Sequence, residues 1–175
     1  GKLMLTWAVM EKKVYYDLGF LRMAEGASTP DEYAMICAQV ANITKEVEAA
    51  TIGGFFRISD DNGLTWSEPM NTPVVTPHGP TIMNDGSIFM MGKYLIDKEF
   101  GSKIACFRST DEGKTWEFLC EPQLPAESTS SNWVEPSCVQ LPSGRLIAML
   151  RYQNKKPNPF GSPTILMITS DDNGK

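Results

Sequence analysis

Clustered positive charge, closely spaced sulfur ligands and long apolar runs are all missing from this chain, and each absence removes a class of function. The 175 residues carry 16 Lys and Arg against 21 Asp and Glu, a formal net charge of −5. The longest basic stretches are the pairs Lys12–Lys13 and Lys155–Lys156. A nucleic-acid partner requires clustered Lys and Arg to displace counterions, so none is expected. No apolar run approaches the roughly 18 residues of a membrane-spanning helix, and no membrane partner is expected. The four cysteines (Cys37, Cys106, Cys120, Cys138) never stand in CxxC spacing, and there is a single histidine, His78. Neither a zinc knuckle nor a thioredoxin-type pair is signalled, and no metal or cofactor is expected. A charged-then-apolar leader is absent as well, which leaves the compartment open.

What the chain has in quantity is turn formers and core formers. Fourteen glycines and 12 prolines punctuate a sequence that is 42% hydrophobic and 10% aromatic, the balance of a globular protein built from short strands. Self-similarity organises it. Ser59-Asp60-Asp61-Asn62-Gly63-Leu64-Thr65-Trp66 recurs as Ser109-Thr110-Asp111-Glu112-Gly113-Lys114-Thr115-Trp116. The shared pattern is S-x-D-x-G-x-T-W. A third copy opens at Ser170-Asp171-Asp172-Asn173-Gly174-Lys175. The Asp can accept hydrogen bonds from the backbone just after it, the Gly supplies positive φ, and Thr and Trp suit a half-buried strand. The three Asp residues of this motif (Asp61, Asp111, Asp172) therefore read as structural.

A second repeat interleaves with the first. Asp85-Gly86-Ser87-Ile88-Phe89-Met90 corresponds to Ser143-Gly144-Arg145-Leu146-Ile147-Ala148, and Gly1-Lys2-Leu3-Met4-Leu5 is a third copy without its upstream half. Segments Leu3–Val9, Phe55–Ser59, Ile88–Gly92, Lys103–Ser109, Leu146–Arg151 and Thr164–Ser170 read as strands. Repeating units of short strands at this length match β-propeller blades. One stretch departs: Thr29-Pro30-Asp31-Glu32 reads as a helix start, followed by Tyr33, Ile36, Val40, Ile43 and Val47 at spacings of three and four. One inserted helix near residues 30–48 is expected.

S-x-D-x-G-x-T-W resembles the Asp-box of the sialidase (neuraminidase) superfamily, also called the BNR repeat. The resemblance covers the whole chain and implies a six-bladed β-propeller. The fold class expected is therefore all-β, a partial propeller of about three blades. A single domain over 1–175 is expected, with blade units near 1–75, 76–125 and 126–175 and both ends cut from a longer protein.

Trp133-Val134-Glu135-Pro136 through Leu150-Arg151 is similar to the sialidase segment in which a glutamate precedes an inner strand and an arginine ends the next one. By that resemblance Glu135 is the catalytic residue that activates a tyrosine nucleophile from another blade. Arg151 is one of three arginines that bind the substrate carboxylate. A guanidinium forks onto a carboxylate through two parallel hydrogen bonds. A neutral phenol suits an anionic sugar better than a carboxylate nucleophile would. His78, in the corresponding place one blade earlier, is a candidate substrate-binding residue. Asp17 is the candidate catalytic acid/base, with Asp31 a competitor better explained by the helix start. Arg57 is rejected as a family arginine because Ser59 stands where the motif requires Pro, and Tyr152 matches no nucleophile motif.

The implied function is an exo-α-sialidase that releases terminal sialic acid with retention. Two alternatives stand beside it: a hydrolase or lyase on another glycan, and a noncatalytic glycan-binding propeller. The partners expected are a sialylated or other acidic glycan, and either the remainder of the ring or a second copy to cover open strand edges.

Overall fold

The computed structural model describes all residues except 18–19, 97–98, 127, 129–131 and 154–163, and the side chains of 14, 16, 17, 20, 94–96 and 99–102 are likewise left aside. Two compact units result, one from Gly1–Ala8 with Gly54–Lys175 and one from Val9–Gly53.

The first unit holds three antiparallel sheets. β1 (Leu3–Val9), β2 (Gly53–Ser59) and β3 (Met70–Thr72) lie in the order β1-β2-β3. The second sheet comprises β4 (Val74–Val75), β5 (Thr81–Ile82), β6 (Ile88–Ile96), β7 (Glu99–Ser109) and β8 (Glu117–Cys120). Its order is β4-β6-β7-β8, with β5 also pairing along β6. β9 (Trp133–Gln140), β10 (Leu146–Tyr152) and β11 (Thr164–Ser170) form the third, in the order β11-β10-β9. Strand sheets of this repeating plan, none closed into a barrel, make a partial β-propeller.

Each sheet carries one Asp-box, at the end of β2, β7 and β11. The chemistry expected of the motif is what holds the turn. The Asp111 carboxylate accepts from the Thr115 backbone N–H at 2.9 Å and from the Thr115 hydroxyl at 2.6 Å. Ser109 Oγ donates to Asp111 at 2.8 Å and accepts from the Gly113 N–H at 2.7 Å. The first box repeats this set around Asp61 with distances of 2.6 to 2.8 Å. These bonds favour the ionised form and hold both carboxyl groups down to about 2. Two successive residues at positive φ close each turn: Asn62 and Gly63, Glu112 and Gly113, Asn173 and Gly174. The second repeat is equally regular, since Met83 N–H donates to Ser87 C=O and Leu141 N–H to Arg145 C=O, each at 2.8 Å.

Neighbouring sheets lock through the box glycines. A Cβ on Gly113 would lie 2.3 Å from Phe56 Cζ, and one on Gly174 would lie 2.4 Å from Phe89 Cε2. Phe56 and Phe89 are buried, so an aromatic ring of one sheet seats on the bare backbone of the next sheet's box. Between the second and third sheets an apolar cavity of about 360 Å³ is lined by Phe89, Met91, Cys106, Cys138, Leu146 and others. Burial pushes the Cys138 thiol up to about 12 and raises Cys106 as well, so both behave as core residues.

The second unit corrects one expectation. In place of one helix near 30–48 stand two, α3 (Pro30–Ala41) and α4 (Lys45–Thr51), and among the described residues ahead of them α1 (Lys12–Asp17) and α2 (Phe20–Ala27) are helical as well. The N-terminus of α3 is as read, with Thr29 and Glu32 forming a reciprocal capping box around Pro30. The expected apolar stripe does not continue in one helix because Asn42 ends α3 and Thr44 caps α4, accepting from the Val47 N–H. Lys12 Nζ donates to the carbonyls of Ala41 and Ile43, satisfying acceptors freed at that break.

Candidate functional site

The third sheet departs from regular pairing at one place. Met149 stands opposite Ser137 and Arg151 opposite Val134, so Leu150 faces two residues of β9, Glu135 and Pro136. This is a β-bulge with its extra residue on β9. Glu135 lies inside the strand rather than ahead of it, and its φ is 53°. A left-handed conformation is strained for a non-glycine residue, and a following proline disfavours helical conformations further. Proline suits the position next to it, because Pro136 sits in a strand at the end of its sheet order and brings no N–H needing a partner.

Side chains of the second sheet region hold the bulge from the other side. Thr76 Oγ1 donates to the Pro136 carbonyl at 2.8 Å and Thr81 Oγ1 to the Cys138 carbonyl at 2.7 Å. These bonds use acceptors that the edge of β9 leaves free.

The bulge aims Glu135 at Arg151. Arg151 Nη2 donates to Glu135 Oε1 at 2.8 Å and to Gln153 Oε1 at 2.9 Å. Gln153 is itself anchored, its backbone N–H donating to the Asn132 carbonyl at 2.8 Å and its carbonyl accepting from Asn132 Nδ2 at 3.2 Å. An open groove of about 410 Å³ is lined by His78, Glu135, Ser137, Met149, Arg151 and Ile165, among others. The structure thus brings three of the four named residues to one place. His78 lies between β4 and β5, where its backbone N–H donates to Thr76 Oγ1 at 3.4 Å and Gly79 turns the chain at φ 72°.

Asp17, the fourth, lies in α1 of the second unit, and its side chain lies outside the described residues. Tyr152 points to the opposite face from Arg151, buried with its ring 4.6 Å from that of Trp133. Gln153 was not read from the sequence. The signal that could have found it is the two-residue period, which returns it to the side of Arg151.

Magnitudes separate function from stability here. Glu135 and Arg151 keep 37% and 45% of their side-chain surface exposed, and exposed pairs contribute about 0–1 kcal/mol. The strained backbone at Glu135 costs about 1–3 kcal/mol. The ion pair therefore does not justify the geometry that makes it. No cluster of three or more His, Cys, Asp or Glu suited to a metal occurs among the described residues. No helix among them is long and apolar enough to cross a membrane.

Repeating antiparallel sheets, each with an Asp-box at the same strand end, define an Asp-box β-propeller segment. Residues 32–175 match the family model described as the BNR repeat-like domain. The chain belongs to that family. No curated protein matches the chain. Among solved structures, a protein of unknown function from Dyadobacter fermentans DSM 18053 is similar at 17% identity, over 84% of this chain and 42% of its own, with a TM-score of 0.54. The Hadza microbial sialidase Hz136 aligns at 23% identity over 71% of this chain and 24% of its own, TM-score 0.48. An intramolecular trans-sialidase from Ruminococcus gnavus, in complex with oseltamivir carboxylate, aligns at 19% identity over 71% and 25%, TM-score 0.43. The chain spans less than half the length of each.

Proposed function

We propose that these sheets supply part of the active site of a sialidase-type glycoside hydrolase acting on a terminal acidic sugar. The observation that carries this reading is the Glu135–Arg151 pair, 2.8 Å apart beside His78 in one groove, with Glu135 held by a strained bulge. Arg151 binds the substrate carboxylate through its planar fork. Glu135 accepts the proton of a phenol nucleophile supplied by another blade, and the phenolate attacks the anomeric carbon. Gln153 holds Arg151 as the carboxylate arrives, and His78 lines the groove from the neighbouring sheet. Asp17 is the candidate to protonate the leaving oxygen.

The test is hydrolysis of a fluorogenic sialoside by a complete ring carrying these sheets. Glu135→Gln lowers kcat about 10²- to 10⁴-fold, the range of a lost general base. Arg151→Lys raises KM, because an ammonium cannot reproduce the fork. Wild-type turnover in Glu135→Gln removes the assignment. Retained binding of a sialoside with no turnover in the wild-type ring favours a glycan-binding propeller instead. The 175-residue chain by itself is expected to be inactive, since the phenol and the other arginines lie on other blades.

A further inference from the structure

The groove beside Arg151 draws on two sheets, and one hydroxyl joins them. Gly86 to Lys93 and Gly144 to Arg151 are the same step along the two repeats. Lys93 stands opposite Val75, and Arg151 stands opposite Val134. Val75-Thr76-Pro77 therefore takes the place in the second sheet that Val134-Glu135-Pro136 takes in the third. Both strands meet a proline here and leave regular pairing: β4 ends at Val75, whereas β9 runs on through its bulge. Threonine and glutamate thus occupy matching positions in neighbouring sheets.

The Thr76 hydroxyl is used twice. It donates to the Pro136 carbonyl at 2.8 Å and accepts from the His78 backbone N–H at 3.4 Å. Pro136 is buried, so its carbonyl needs a protein donor. Pro136 is also the second residue of the bulge, next to Glu135 at φ 53°. A strained backbone persists only where its surroundings over-determine it. The exposed pair with Arg151 is too weak to do so. A hydrogen bond that lands on the bulge itself, from another sheet, is the better anchor. Thr81 offers the same chemistry in a different place. Its bond reaches the Cys138 carbonyl, where Cys138 pairs regularly with Ala148 outside the bulge.

We propose that Thr76 is a positioning residue of the candidate site, its hydroxyl holding the Glu135 bulge and the His78 turn in one register. Glu135 then meets the phenol at a fixed distance and angle, as proton transfer in a transition state requires. Thr76 acts through Glu135 rather than on the substrate. Arg151 keeps a separate anchor in Gln153. Turnover and binding therefore separate, because loss of the hydroxyl moves the base and leaves the carboxylate grip. The inference rests on the reading of Glu135 as that base.

The experiment is sialoside kinetics on a complete ring carrying these sheets. Thr76→Val keeps the branched shape and removes the hydroxyl. It lowers kcat about 10- to 10²-fold and leaves KM near wild type. Thr76→Ser keeps the hydroxyl and restores most of kcat. In a Glu135→Gln ring, Thr76→Val removes no further kcat, because the two residues act in one step. Thr81→Val loses less kcat than Thr76→Val. Wild-type kcat in Thr76→Val, a full further loss in the double variant, an equal loss in Thr81→Val, or no rescue by serine each overturns the inference alone. Wild-type turnover in Glu135→Gln removes the reading of the base and this inference together. A second readout needs no turnover: amide spectra of the 175-residue chain. Thr76→Val shifts the Ser137 and His78 N–H signals together, the first because it shares a peptide group with the Pro136 carbonyl, and Thr76→Ser returns both. Signals that stay in place in Thr76→Val overturn the inference as well.

Discussion

The two ends of these sheets are built on opposite principles. At the box end, each turn spends its polar groups on itself: Asp111 accepts from Ser109 and twice from Thr115, and Gly113 receives the Phe56 ring. At the bulge end, Glu135 adopts a strained backbone and directs its carboxylate to an exposed guanidinium. The Ser–Asp and Ser–Gly bonds of the first arrangement recur in all three boxes and are explained by folding. The second occurs once among the described residues and is not. Repetition marks structure, whereas singular strain without a stabilising return marks a site.

The sharpest way to break this contrast is at the glycines. Gly113→Ala combines positive φ with a contact of 2.3 Å to a buried ring, so it loses about 2–6 kcal/mol from backbone strain plus overpacking. Gly144→Ala has φ 93° but no neighbour within 4 Å, and only the backbone term of about 1–3 kcal/mol remains, without the overpacking. Urea denaturation of the two variants measures the difference. Equal losses would show that Phe56 does not seat on the box.

Acid is the next probe. Asp61 and Asp111 have folded values near 2, below the ordinary 3.8. A lowered folded value means the contribution is complete above about pH 4 and drains away as pH falls through about 2. Thermal melting from pH 5 to pH 2 therefore shows a falling midpoint. The Asp61→Asn, Asp111→Asn double variant melts lower at pH 5 and has a flatter profile. An unchanged profile would deny the boxes their role.

The smallest effect belongs to the site. Glu135→Gln and Arg151→Gln each shift stability by no more than about 1 kcal/mol, as expected for an exposed pair. Glu135→Gly trades relief of strain against the entropy of glycine and leaves the melting midpoint near wild type. A large loss in any of the three would make the pair structural.

What the sequence disclosed follows from how local each signal is. Boxes, repeat turns and the Thr29 cap are decided within eight residues or fewer, so they were legible in order along the chain. The break between α3 and α4 escaped because apolar spacing ran on through Asn42 and Thr44, and capping by Thr44 overrode it. The inner strand of the second sheet is reduced to β4 and β5, two residues each, by a stretch containing Pro77 and Pro80. Resemblance drew attention to Glu135 and Arg151, but their meeting depends on a register shift between strands. Local pattern does not encode such a shift.

The helices of Val9–Gly53 leave the first unit after β1 and return at β2, strands that lie side by side. An excursion with neighbouring points of departure and return can be lengthened, shortened or exchanged while the pairing beneath it keeps its register. A change of length there is expected to leave the turns that hold the sheets untouched.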